Sequence, residues 1–145
     1  MTRPLPDHVL RRLHRARSLA VDAFDEPLSL DALATTAGMS RFHFLRAFQR
    51  TFGTTPGRFV TRVRLDRARD LLARGASVTE ACASVGFSSV ASFSSAFSAR
   101  FGASPRAFQR QVRLVGSVPA RLVSTWVPAC FAAFYAPFAP QSNPR

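Results

Sequence analysis

The chain of 145 residues contains no lysine, and no acidic residue follows Glu80. Its 20 basic residues are all arginines and face only eight acids, which leaves a formal net charge of +12. Residues 81–145 carry six arginines and no counter-charge. Such a balance favours a polyanionic partner, and nucleic acid is the first candidate.

Cysteine is scarce, and long apolar runs that would mark a membrane protein are missing. Cys82 and Cys130 are too few to bind a metal without other ligands, so we expect free thiols in a reducing compartment. The first residues lack the apolar run of a secretion signal. The aromatic stretch 126–138 is proline-interrupted and shorter than the roughly 20 residues that cross a bilayer. We therefore expect a cytoplasmic, nucleoid-associated protein without a membrane partner.

The residue sets that carry catalysis are also missing from the sequence. It offers no paired carboxylates, no glycine-rich phosphate loop and no nucleophile beside a base. We predict that the chain is not an enzyme, and that it binds no cofactor and no metal.

One segment of the chain occurs twice. Residues 40–53, SRFHFLRAFQRTFG, return 49 positions later as SVASFSSAFSARFG in residues 89–102. In the first copy, Phe44, Phe48 and Phe52 are four residues apart, which places three rings on one face of a helix. Both copies are therefore predicted to be core-packed helices closed by a glycine.

A shorter helical pattern precedes each copy. It reads SLDALATTAGMS in residues 29–40 and SVTEACASVGFSS in residues 77–89, where the turn is one residue longer. Each begins with a serine suited to an N-cap and ends at a glycine, Gly38 or Gly86, suited to a left-handed turn. A short helix, a glycine turn and a second capped helix make the layout of a helix-turn-helix.

Helical patterns also occur around the two motifs. We predict Asp7 as the N-cap of a first helix that ends near Pro27. A long helix follows the break at residues 54–57 and continues to about Ala73, a span of roughly 25 Å at 1.5 Å per residue. A last helix begins at Pro105.

Together with the segment RVRLDRARDLL and two F-G-x-[TS]-P endings, this tandem pattern resembles the AraC/XylS family of bacterial transcription regulators over roughly residues 8–112. The resemblance implies an all-α fold of about seven helices, with two homeodomain-like helix-turn-helix subdomains joined by a linker helix. The expected parts are the first helix-turn-helix at about 29–53, the linker at about 56–73, the second helix-turn-helix at about 77–102, and an apolar, partly disordered tail at 113–145.

The resemblance further implies that each subdomain offers a recognition helix to double-stranded DNA. Successive major grooves are about 34 Å apart, so one chain is expected to cover about 20 base pairs as a monomer. Many family members carry a separate effector domain, usually N-terminal. Since about seven residues precede the first helix, we expect a short, stand-alone regulator.

Projection at about 100° per residue places Arg46 and Arg50 on the outer face of the first recognition helix, where arginine can pair with guanine. Phe42 on that face suits a thymine methyl group. By resemblance, Phe42 matches a tryptophan that touches bases, Arg46 a base-reading arginine, and Leu45 a position where some members have a polar contact. The base-reading candidates are Phe42, Leu45, Arg46, Gln49 and Arg50 in the first helix and Ala91, Ser92 and Ser95 in the second.

The second recognition helix has no charge and no large donor on the matching face. Ser95 stands where family members commonly carry an arginine, and Ala91 matches Phe42. We therefore expect the first half to read sequence and the second mainly to hold the DNA backbone. The phosphate-contact candidates are Ser40, Arg41, His43, Ser89, Arg100, Arg106 and Arg110.

Two alternatives stay open on the sequence. The apolar stretch 126–138 suits a flap on the second subdomain, a surface for self-association or a partner, or a lid over a ligand. The whole chain also suits an interaction protein of the same fold, which modulates another regulator or RNA polymerase and binds DNA only non-specifically.

Overall fold

The computed structural model describes residues 5–116, and that range folds into seven α-helices without a strand. This confirms the predicted all-α fold. The interpretations of residues 126–138 concern a stretch outside the described range. The helices are α1 Asp7–Asp22, α2 Leu30–Thr36, α3 Arg41–Phe52, α4 Pro56–Ala73, α5 Val78–Ser84, α6 Val90–Phe101 and α7 Pro105–Gly116.

The first helix differs from the prediction at both ends. The N-cap is Pro6, and Asp7 is already the first helical residue, so the predicted cap is wrong by one position. The helix ends at Asp22 and not near Pro27. The Ala23 N–H still donates to the Leu19 carbonyl at 2.9 Å, and the chain then turns with the Glu26 N–H donating to the Ala23 carbonyl at 3.2 Å.

The predicted serine caps are confirmed in both motifs. Ser29 and Ser40 accept backbone N–H groups at 3.0 and 3.4 Å, and Ser89 accepts one at 3.1 Å. Ser77 and Glu80 form a reciprocal capping box, with hydrogen bonds of 3.2 and 2.8 Å. The hydrogen bonds from Ser77 lower the pKa of the Glu80 carboxyl. These caps satisfy N–H groups that a helix start leaves without a partner.

The core contains the same ladder of aromatic rings twice. In the first subdomain, the Phe48 ring centroid lies 5.4 Å from Phe44, 4.6 Å from Phe52 and 5.8 Å from Phe59. In the second subdomain, the Phe97 ring centroid lies 5.7 Å from Phe93, 4.5 Å from Phe101 and 5.8 Å from Phe108. The repeated phenylalanine spacing is therefore a repeated packing unit, as predicted.

The linker helix α4 packs against α1 and α3 of the first subdomain and against α5 and α6 of the second. Cys82 on α5 is a buried free thiol whose Sγ lies 3.8 Å from the Phe87 carbonyl, and burial raises its pKa. None of the helices described is long and apolar enough to cross a membrane. The helices from α1 to the start of α7 form one compact unit, which ends at Gln109.

Candidate nucleic-acid interface

The outer face of α3 gathers most of the predicted base-reading residues of the first motif. Phe42 is 75% exposed, whereas Phe44, two positions later, is fully buried. Arg46, Gln49 and Arg50 are exposed as well. Leu45 is half-buried, so it offers less surface than its neighbours. Because the major groove of B-DNA admits an α-helix, a helix with an exposed basic face is suited to lie in it.

The start of α3 carries the predicted phosphate-contact residues Ser40, Arg41 and His43, all of them exposed. Arg41 is 3.6 Å from the Asp31 carboxylate, and both side chains remain more than half exposed. Such a pair contributes little to stability, so a phosphate can replace Asp31 at small cost. The Ser40 hydroxyl accepts the His43 N–H and keeps its own proton to donate.

The outer face of α6 is chemically different. Ala91, Ser92 and Ser95 are exposed as predicted, but the Ser89 hydroxyl donates to the Ser92 hydroxyl at 2.9 Å. Val90 is 41% exposed at the first position of the helix. The sequence interpretation missed Val90, although the 49-residue offset between the two copies makes it the counterpart of Arg41. This face therefore offers mainly methyl groups and small hydroxyls.

Arg100 has a partner inside the chain. Its guanidinium makes a two-pronged pair with Asp66 on α4, with donor–acceptor distances of 2.7, 2.8 and 3.1 Å. The planar fork of arginine matches the two carboxylate oxygens, which makes this a strong surface pair. The phosphate contact predicted for Arg100 stays a prediction, and it would require sharing or breaking this pair.

Exposed arginines also lie at two helix starts that follow the recognition helices. Arg106 is the second residue of α7, behind the Ser104 cap, whose hydroxyl accepts an N–H at 3.2 Å. Arg58 lies in the first turn of α4, behind the Thr55 cap, and sequence reasoning did not single it out. A helix start and an arginine both favour phosphate. Arg110, further along α7, is exposed.

Of the two recognition helices, the first carries most of the positive charge. Three arginines lie on α3 and none of its residues is acidic, whereas α6 carries one arginine that Asp66 already neutralises. Among residues 5–116, no group of three or more metal-ligating side chains comes together. The surface is suited to binding an extended polyanion through α3.

Comparison with known proteins agrees with this geometry. A family model for a helix-turn-helix domain matches residues 33–111, more than half of the chain. An uncharacterised HTH-type transcriptional regulator of Haemophilus influenzae is 35% identical over 105 residues, which cover 72% of this chain and 35% of that protein. The chain spans 44% and 34% of the length of two further curated relatives.

Solved structures share the arrangement of the helices. The DNA-binding domain of AdpA, a global transcriptional factor solved in complex with a target DNA, matches with a TM-score of 0.69 and 28% identity, over 72% of this chain and 95% of that one. A Chromobacterium violaceum regulator with an AraC-type DNA-binding domain matches with a TM-score of 0.67 and 34% identity, over 74% and 96%. The chain belongs to the AraC/XylS family of helix-turn-helix transcription regulators.

Proposed function

We propose that residues 8–112 bind double-stranded DNA in a sequence-specific manner and thereby regulate transcription. One chain places α3 and α6 in successive major grooves, as a monomer on an asymmetric site. The observation that carries this proposal is the outer face of α3, where an exposed Phe42 lies beside exposed arginines on the side opposite the buried rings. An exposed phenylalanine is costly in water, whereas a thymine methyl group is a suitable partner for it.

The two helix-turn-helix subdomains have different roles in DNA binding. The basic outer face of α3 reads base edges, and α6 mainly anchors the DNA backbone with small side chains. Phosphate contacts come from the N-terminal ends of the helices, where Ser40, Arg41, Ser89 and Arg106 lie. Arginine pairs with guanine through two parallel hydrogen bonds, which is the source of discrimination.

Arg46→Ala is expected to weaken binding by about 1–3 kcal/mol at one base pair of the preferred site and to relax the preference there. The loss of preference is confined to that base pair, because a side chain that contacts a base edge distinguishes only that base pair. Fluorescence anisotropy with a duplex selected from a random library, and with its single-position variants, measures the effect.

Arg106→Ala is the matched control, since it removes one arginine from a phosphate-facing position. It is expected to weaken all duplexes alike and to reduce the dependence of log K on log salt by about 1. If Ser95→Ala changed the base preference more than Arg46→Ala did, the division between the two helices would be wrong.

Thymine methyl groups under α6 are expected to contribute measurably, because Val90 and Ala91 present aliphatic surface there. Replacing one thymine by uracil in that half of the site removes one methyl group. Because a buried carbon contributes about 0.8 kcal/mol, the replacement should weaken binding about fourfold. In the Val90→Ser variant the same replacement should have a smaller effect. An unchanged uracil penalty in Val90→Ser would show that Val90 does not face the bases.

A second candidate function is supported by the neutral outer face of α6. An interaction protein of this fold would modulate another regulator or RNA polymerase and would bind DNA without sequence preference. Self-association through residues 126–138 belongs to the same proposal. A salt titration on the selected and a random duplex separates the two functions: preference near physiological salt supports the DNA reader, and its absence at every salt concentration supports the interaction protein.

A further inference from the structure

A single guanidinium connects three parts of the fold. Arg64, in the middle of α4, donates from Nε to the Phe24 carbonyl at 2.6 Å, from Nη2 to the Glu26 carbonyl at 2.9 Å and from Nη1 to the Gly86 carbonyl at 3.1 Å. Phe24 and Glu26 lie in the loop between α1 and α2, in the first subdomain. Gly86 lies in the turn between α5 and α6, in the second. Arg64 therefore ties the linker helix to one loop of each subdomain.

The two loops also contact each other directly. Gly86 has a φ of +76°, and a Cβ atom there would lie 2.7 Å from the Asp25 carbonyl oxygen and 3.3 Å from Arg64 Nη2. Real Cβ atoms do not approach a backbone oxygen so closely, so the position requires glycine. The contact joins backbone to backbone, and it leaves little room for one loop to slide past the other.

Two neighbouring residues of α4 strengthen the same junction. Asp66 holds Arg100, which is a residue of α6 itself, in the two-pronged pair described above. The Arg67 guanidinium carbon lies 5.6 Å from the centre of the Phe24 ring, within the range of a cation–π contact. The second recognition helix is thus fixed to the linker, and the linker is fixed to the loop of the first subdomain.

The chemistry of this junction requires an arginine. Its rigid, planar guanidinium presents five donors in different directions, so it reaches carbonyls of two separate loops at once. A lysine keeps the charge but presents three donors at a single nitrogen, and it cannot reproduce the fork. Arg64→Lys is therefore a variant that conserves charge and removes the geometry.

We propose that the Arg64 clasp, meaning Arg64 with the carbonyls of Phe24, Glu26 and Gly86, fixes the separation and rotation between α3 and α6. It thereby restricts the chain to DNA sites with one spacing between the two half-sites. Arg64 is a positioning residue, and this inference rests on the proposed DNA binding. Without the clasp, the second subdomain can rotate about the end of α4, and several spacings become acceptable.

The test uses the selected duplex and derivatives with one base pair inserted or removed between the half-sites. One base pair moves a half-site by 3.4 Å and rotates it by roughly 34–36°. Wild type is expected to lose at least about tenfold in affinity on either change, as it would for a mismatched contact. Arg64→Ala and Arg64→Lys are expected to bind the original duplex more weakly and to lose only about threefold or less on a spacing change.

Arg62→Ala is the matched control, because it removes an exposed arginine from the same helix two residues away. It should keep the spacing penalty of wild type. If Arg64→Ala or Arg64→Lys weakened binding equally on all duplexes of the spacing series, and so kept the spacing penalty of wild type, the proposal would be overturned. A wild type that tolerates the spacing changes would overturn it as well.

A measurement without DNA separates this proposal from the proposed function. Spin labels at Gln49→Cys and Ala99→Cys, in a chain with its own two cysteines replaced by alanine, report the distance between α3 and α6. A narrow distribution in wild type and a broad one in Arg64→Lys, at equal helicity by circular dichroism, supports the clasp even if wild type shows no sequence preference. Equal widths in the two proteins would overturn it.

Discussion

Replacing Phe44 by alanine is expected to lower the free energy of unfolding by about 3–5 kcal/mol. The ring is fully buried, and it contacts Phe48 at a centroid distance of 5.4 Å in the first aromatic ladder. Alanine leaves a cavity that the surrounding helices cannot close, which adds to the lost transfer free energy. For a domain of this size the loss is a large part of a total stability of about 5–15 kcal/mol. Chemical denaturation followed by circular dichroism measures it.

Phe42→Ala is the matched control on the same helix. Phe42 is 75% exposed, so its replacement is expected to change the stability by no more than about 0.5 kcal/mol. Its effect should appear in DNA affinity instead, because the ring faces the groove in the proposed function. Equal destabilisation by the two substitutions would mean that the ring of Phe42 packs against the fold and is not a reading residue.

Gly86→Ala is expected to destabilise the chain more than the same change at Gly102. Both glycines have a positive φ, +76° and +73°, so both variants lose about 1–2 kcal/mol from the left-handed backbone. A Cβ at Gly102 meets nothing within 4 Å, whereas at Gly86 it meets the Asp25 carbonyl at 2.7 Å. The crowding should add about 1–3 kcal/mol at Gly86 alone.

Urea denaturation of the two alanine variants measures this difference directly. Both variants lose the same contribution from the left-handed backbone. The difference between their free energies of unfolding therefore measures the cost of the close contact between the two loops. If the two variants lost the same free energy of unfolding, the contact between the loop of residues 23–29 and the turn at Gly86 would not form in solution. The same variants, tested on the spacing series, show whether this contact and Arg64 act together.

The elements of the fold were predictable because their signals are local. Serine caps, closing glycines and prolines at helix starts lie within a few residues of the helices they delimit, and the phenylalanine period marks the buried face. The same projection placed Phe42 and Arg46 on the outer face correctly. The end of α1 was not predictable, because the turn after it is closed by a backbone hydrogen bond from Glu26 to Ala23, which no side-chain type marks.

The connections between the subdomains leave little trace in the sequence. The partners of Arg64 are backbone carbonyls, which every residue carries, so no side-chain type reveals them. Asp66 and Arg100 are 34 positions apart, and nearby arginines on α4 were equally plausible partners for the carboxylate. Val90 shows a different limit: its correspondence to Arg41 was available from the repeat, but an aliphatic side chain carries no polar signal that would mark it as a contact residue.

The duplicated ring ladder has a consequence for how such a protein changes over generations. The ring-centroid distances in the two ladders agree within a few tenths of an ångström. Each subdomain is therefore stabilised by its own buried rings, whatever residues lie on the outer face of its recognition helix. Mutations on the outer positions of one helix are then selected for binding alone, without a penalty in folding. Under the proposed function, a protein with two such halves can keep its contacts to one half of a DNA site while substitutions change its contacts to the other half.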